Sequence, residues 1–186
     1  MADTTLRHKD VITIGSGIPY IKEYTGTMPE VSEICVEENR LGYIKSGCAL
    51  EYTQEPYTEK DDLGYASKVV ITTEEAILKL GLITWNGTVL QKLIDRCKVT
   101  EENGVRKIQI GGAGNAQGKE YVVCVHHIDK KDGDLWIMVR GNNTAGLTLT
   151  LSTEEGSLLE PEFTALPHDN NGTLVTIVEQ TTATQA

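Results

Sequence analysis

GCALEYTQEPYTEKDDLGYASKVVITTEEAILKLGLITWNGTVLQKLIDRC, residues 47–97, begins in strand-like alternation and ends in one amphipathic helix. Ala49 to Glu55 and Ser67 to Thr72 read as paired strands. Between them lies the acidic, turn-rich segment Gln54 to Ala66, which is either a solvated loop or the tip of a protruding β-arm. In the next run two signals compete. Thr73 and the acids after it suit a helix start, but Ala76, Leu78, Leu80 and Leu82 recur at period two and Gly81 disfavours a helix, so Ala76 to Trp85 is expected as a strand. Asn86 to Cys97 then reads as the helix. Asn86 can cap it with Trp85 and Leu90 as a hydrophobic staple, or Thr88 can cap it with Gln91 completing a capping box. Val89, Leu90, Leu93, Ile94 and Cys97 form its apolar stripe, fit to cover an open sheet face. The stretch carries no catalytic signature, which points to assembly.

Outward from this stretch, turn dipeptides punctuate short β-branched segments, the pattern of an antiparallel β domain. Tyr121 to Ile128 and Leu135 to Arg140 flank KKDGD, whose Asp132-Gly133 suits a tight hairpin turn with positive φ at both central residues. LTLTLS alternates Leu147, Leu149 and Leu151 with polar residues and is expected as a strand. EFTAL and TLVTIVE are expected to pair across DNNG, with Asn171-Gly172 as the turn. Asn103-Gly104 turns the chain toward the strand VRKIQI. In the first third, VITIG and ICVEEN read as strands separated by GIPYIKEYTGTMPE, and LGYIKSGCALEYTQE supplies another. The expected class is mainly β, an antiparallel sandwich or barrel-like domain with one flanking α-helix and a long hairpin loop.

The 186 residues suffice for a single domain, 1–186, with a real core; residues 1–10 and 181–186 read as flexible ends. A net charge of -10 argues against a surface built to grip phosphates, because nucleic-acid affinity comes largely from Lys and Arg displacing counterions. No segment approaches the roughly 20 apolar residues needed to span a bilayer, and the N-terminus has no apolar signal core, so the chain reads as made in a cytoplasm. Cys35, Cys48, Cys97 and Cys124 are scattered without C-x-x-C spacing and read as reduced structural thiols.

The motifs that resemble active sites fall short on their chemistry. IGGAGNAQGKE has Ala113 where a phosphate loop needs its first glycine and Glu120 where it needs Ser or Thr, and a strand rather than a helix follows. The acidic pairs, Glu37-Glu38, Asp61-Asp62, Glu74-Glu75, Glu101-Glu102 and Glu154-Glu155, put neighbouring side chains on opposite faces of a strand, so none is a glycosidase dyad in itself. His126 and His127 diverge for the same reason and do not chelate one metal together. G-x-S-x-G does not occur, Cys124 lies in an apolar strand, and the few aromatics do not interleave with basic residues as a nucleic-acid stacking platform would. Catalytic residues, metal ligands and cofactor-binding residues are accordingly expected to be none.

The series of strand, acidic loop, strand and helix, with the words LEYTQEPYTEKDD and EFTALPHDNNGTLV, resembles the major tail tube proteins of long-tailed, siphovirus-like bacteriophages over about Gly47 to Glu179. That resemblance implies a sandwich or barrel-like subunit with a flanking helix, forming hexameric rings that stack into a hollow tube. It implies a loop reaching a neighbouring subunit or ring, placed by position at Glu55, Pro56, Tyr57, Thr58, Glu59, Lys60, Asp61, Asp62, Leu63 and Gly64. Implied partners are further copies of the chain, a tape-measure protein, and tail terminator and initiator proteins. DNA would pass through the lumen without specific binding, and no membrane is involved. Glu51, Glu74 and Glu75 are candidates for carboxylates lining the bore, from their place on or beside the strands expected to face it.

The expected role is therefore a virion structural protein without an enzymatic step, assembled in the cytoplasm of a host bacterium. Alternatives are the inner tube of a contractile tail or related injection device, and a monomeric Ig-like or carbohydrate-binding surface module. A hydrolase using unpaired acids ranks lowest.

Overall fold

The computed structural model describes residues 6–7 and 11–181. It is mainly β, with antiparallel sheets and two α-helices. A seven-stranded sheet runs β1 (Ile18–Glu23), β6 (Tyr121–His127), β7 (Leu135–Asn143), β8 (Glu162–Ala165), β3 (Ser67–Leu82) and β2 (Ile44–Lys60), with β9 (Val175–Glu179) also on β7. A separate hairpin joins β4 (Cys97–Glu102) to β5 (Val105–Ile110). Its turn residues Asn103 and Gly104 both have positive φ, 50° and 75°, as a two-residue turn matched to strand twist requires.

β7 divides one edge between two strands. Leu135 to Val139 pair with β9, and Gly141 to Asn143 pair with β8, while β6 occupies the other edge. Gly141 stands at the changeover, where a Cβ would collide with the Thr164 carbonyl oxygen. β6 is buried on both faces. Tyr121, Val123 and Val125 join the main core with Ile21, Leu78, Leu82, Val139 and Phe163. Val122 and Cys124 join Tyr20, Met138 and Ile34 in a second, smaller core.

The main core is closed by α2 (Gly87–Leu93), through Val89, Leu90 and Leu93. Asn86 caps it, its Oδ1 accepting the Val89 N–H at 3.0 Å, so of the two caps open to the sequence the first is formed. The helix is shorter than Asn86 to Cys97. Ile94 is already extended and Cys97 opens β4 opposite Ile110. Gln117, from the glycine-rich segment, takes over the helix end. Its amide donates to the carbonyls of Gln91, Ile94 and Cys97 at 2.9, 3.3 and 3.1 Å.

Several expected elements differ, each because tertiary pairing overrode local pattern. VITIG is not a strand; β1 begins at Ile18, inside the segment read as a connection. Because Tyr20 and Ile21 are buried on opposite faces, β1 lacks the alternation that marks a half-buried strand. ICVEEN is not a strand: its Ile34 ends α1 (Val31–Ile34) and its Glu37–Asn39 form a 3-10 turn, so a second helix adds to the one expected. The segment buries Ile34 over the second core, and the Asn39 amide donates to the carbonyls of Glu33 and Ile34, both at 3.2 Å. LTLTLS is not a strand, and Leu149 and Leu151 are exposed. The edge of β3 beyond β8 is taken instead by Leu159, which exchanges backbone hydrogen bonds with Leu82 at 2.7 and 2.8 Å. EFTAL and TLVTIVE do not pair with each other; each pairs with β7. At Asp132-Gly133 only the glycine has positive φ. The flexible ends expected at 1–10 and 181–186 lie mostly outside the described residues, but Leu6 donates to the Thr181 carbonyl and Arg7 to that of Asp132, both at 2.9 Å.

Two outcomes test this packing. Asn86→Ala removes the cap and is expected to lower unfolding free energy by about 1 kcal/mol in urea denaturation. At the DNNG turn, Asp169 accepts hydrogen bonds from the Thr173 hydroxyl and N–H at 2.6 and 2.9 Å, and these hold its carboxyl below the ordinary 3.8. A depressed pKa stabilises the fold above the ordinary value and ceases to do so as pH falls through and below it. The urea midpoint of Asp169→Ala should therefore lie below wild type at pH 6, with the gap closing as pH falls below 3.8.

Candidate assembly surface

Period-two alternation carries β2 and β3 far past the core. Their pairing runs from Ile44↔Leu82 to Lys60↔Ser67, and every residue from Glu51 to Glu75 is exposed. Gln54 to Ala66 is thus not a loop. β2 continues to Lys60 and β3 starts at Ser67, leaving Asp61 to Ala66 as the turn. Beyond Tyr52 the arm extends roughly 26 Å at about 3.3 Å per residue. Asp61 closes its tip, accepting the Ala66 N–H at 2.7 Å and the Leu63 N–H at 3.3 Å.

The two faces of the arm differ. Leu50 and Leu78 face the core, so strand alternation places Tyr52, Gln54, Pro56 and Thr58 on the same side. A bulge between Glu55 and Pro56 leaves Thr72 unpaired, its hydroxyl donating to the Glu55 carbonyl at 3.1 Å. The shift brings Ile71 and Val69 opposite Pro56 and Thr58, on the core-continuing face. Pro56 is tolerated because β2 is an edge strand and has a bulge at this point. The other face carries Glu51, Glu55, Glu59 and Glu75 with Tyr57, Lys68 and Val70. There Tyr57 donates to Glu59, which raises the phenol pKa, and Glu51 pairs with Lys79 at 2.9 Å and raises the ammonium pKa.

Of the candidate bore carboxylates, Glu51 and Glu75 share this acidic face, and Glu74 points to the opposite one. Glu74 there borders a groove of about 460 Å³ at the base of the arm, lined also by Leu50, Tyr52, Leu174, Val175 and Ile177. The ten residues placed in the interlocking loop, Glu55 to Gly64, make up the outer end of β2 and the first four of the six turn residues. The sequence reading missed that Val69, Val70 and Ile71 belong to the same protruding arm; they are 61%, 46% and 46% exposed. The available signal was a β-branched run flanked by acids.

His126 and His127 lie elsewhere and point apart. His126 stacks on Trp136 with its Nε2 2.8 Å from Asp134, and His127 Nδ1 meets the Ser16 carbonyl at 3.0 Å. Among the described residues no group of three or more His, Cys, Asp or Glu is placed to hold a metal ion. No helix among them is long and apolar enough to cross a membrane. No protein-family model matches the chain, and no curated protein matches it in sequence.

If the arm makes no contribution to the core, Val69→Ser combined with Ile71→Ser should leave the unfolding free energy of the monomer within about 1 kcal/mol of wild type. By contrast, Leu78→Ala, at the root of the same hairpin, should cost about 2–5 kcal/mol in the same urea titration.

Proposed function

We propose that the chain is a self-assembling structural subunit, the repeating unit of a siphovirus-like phage tail tube. In this reading hexameric rings stack into a hollow conduit for DNA, and no chemical step is involved. The observation that carries the reading is the arm, whose core-continuing face bears Tyr52, Pro56, Val69 and Ile71 without a covering layer of its own. Exposed apolar side chains on a paired hairpin suit burial against a partner. A second copy of the chain supplies that partner: the β2 edge of the arm has backbone groups free to pair, and the groove at its base offers an apolar seat. The chain's negative charge fits a conduit that must not retain phosphate, and Glu51 and Glu75 on one face are where such repulsion would act. Tape-measure, terminator and initiator proteins would be its partners in the virion.

Negative-stain electron microscopy of the concentrated protein tests this directly. Rings or tubes of uniform diameter are expected, and a strictly monomeric species with glycan affinity would favour a surface-binding module instead. Replacing Pro56–Thr72 with Asn-Gly shortens the hairpin to a two-residue turn between the paired Glu55 and Thr73. Circular dichroism should remain that of a β domain while tube growth stops; tubes of normal length from this variant would exclude the arm as the contact.

A further inference from the structure

The second core contains a pair of thiols that the proposed assembly does not use. Cys35 ends α1 as its C-cap and is half-buried; Cys124 lies in the middle of β6 and is fully buried. They are 89 residues apart in sequence, yet their Sγ atoms stand 3.8 Å from each other. We infer that Cys35 and Cys124 form a peroxide-oxidisable dithiol site, in which Cys35 reacts with the oxidant and Cys124 resolves the product as an intramolecular disulfide.

The division of roles follows from position. Only Cys35 has a solvent-facing side, so a small oxidant must meet it first. The hydrogen bond between the two sulfurs, helped by the Trp136 indole and only partly offset by burial, lowers the Cys35 thiol from its ordinary pKa toward the nucleophilic thiolate. The same hydrogen bond, with burial, raises Cys124 and keeps it protonated until Cys35 has reacted. Cys48 is exposed on β2 but has its thiol raised by desolvation, so it lacks this activation.

Hydrogen peroxide is the oxidant class. The Cys35 thiolate sulfur attacks one peroxide oxygen; an S–O bond forms, the O–O bond breaks, and the departing hydroxide takes the proton Cys35 released, giving water and a sulfenic acid. The Cys124 sulfur then attacks the Cys35 sulfur. An S–S bond forms, the S–O bond breaks, and hydroxide leaves with the Cys124 proton as a second water. Two thiols have given two electrons and two protons to one peroxide. The sulfurs must close from 3.8 Å to about 2.05 Å, and Cys35, at the end of a four-residue helix on the outside of the sheet, is the side that moves. The product ties the Val31–Asn39 segment covalently to β6 and leaves the β2–β3 arm untouched.

The test treats the reduced full-length protein with stoichiometric hydrogen peroxide and maps it by mass spectrometry without reduction. Loss of two hydrogen masses and a linked peptide pair containing Cys35 and Cys124 are expected, with Cys48 still alkylatable. In Cys124→Ser the reaction should stop at a dimedone-trappable sulfenic acid on Cys35. Because the bond closes a long loop of the unfolded chain, the oxidised wild type should melt on the order of 10 °C higher than the reduced form. Oxidation of Cys48 ahead of the pair, or no Cys35–Cys124 peptide while the fold remains intact by circular dichroism, would overturn the assignment. So would a linked form that melts below the reduced one.

Discussion

The large sheet depends on how β7 is shared. One of its edges belongs wholly to β6, and the other is split, with β9 on the first five residues and β8 on the last three. Through β6 it holds β1, and through β8 it holds β3 and with it the hairpin to β2. The split works only because the chain at Gly141 lets the β8 backbone come closer than any Cβ would allow. A short β8 is enough to carry β3, because Leu78 and Phe163 stand opposite each other in the main core. Burial of such pairs at about 25 cal/mol per Å² outweighs the few hydrogen bonds that a three-residue pairing supplies.

The hairpin from β2 to β3 lives in two environments. Its inner end is core: Ala76, Leu78, Leu80 and Leu82 are buried, and α2 with the β4–β5 hairpin closes over them. Its outer end has the same pairing and no layer on either side. Hydrogen bonds between two strands alone are marginal in water. The outer end is supported by its continuity with the buried end, the Asp61 closure of the tip and the Thr72 contact at the bulge. An arm of this kind is rigid near its root and increasingly dependent on outside contacts toward its tip.

Elements marked by turn residues, by β-branched runs or by a capping side chain were legible in the sequence. The β4–β5 hairpin with its Asn-Gly turn and the β6–β7 pair announce themselves through local chemistry, and Asn86 is one of the two caps the sequence left open. The rest was hidden for identifiable reasons. β1 buries both faces, so it lacks alternation. LTLTLS alternates, but Leu159 occupies the edge beyond β8 on β3. Gln117 ends α2 from far along the chain, in a segment whose glycines suggested only a loop. For the candidate surface, the acids and turn of the arm could be read directly. The length of its strands could not, because exposed β-branched residues read like core residues until their neighbours are known.

The bulge at Thr72 has a consequence for the arm as a two-sided object. From Leu82 to Glu74 the even positions of β3 face the core side, but beyond the bulge the odd ones do, Ile71 and Val69 among them. Were Thr72 to pair opposite Pro56 instead of bulging, the outer part of β3 would turn over while β2 would not. Ile71 and Val69 would move among Glu55 and Glu59, and Lys68 and Val70 would take their places beside Pro56 and Thr58. Which residues of outer β3 join the core-continuing face is therefore set by the bulge as much as by side-chain chemistry. Losing Thr72 itself would leave the two faces as they are, because Thr73 and Ile71 would then alternate as neighbours in a regular strand.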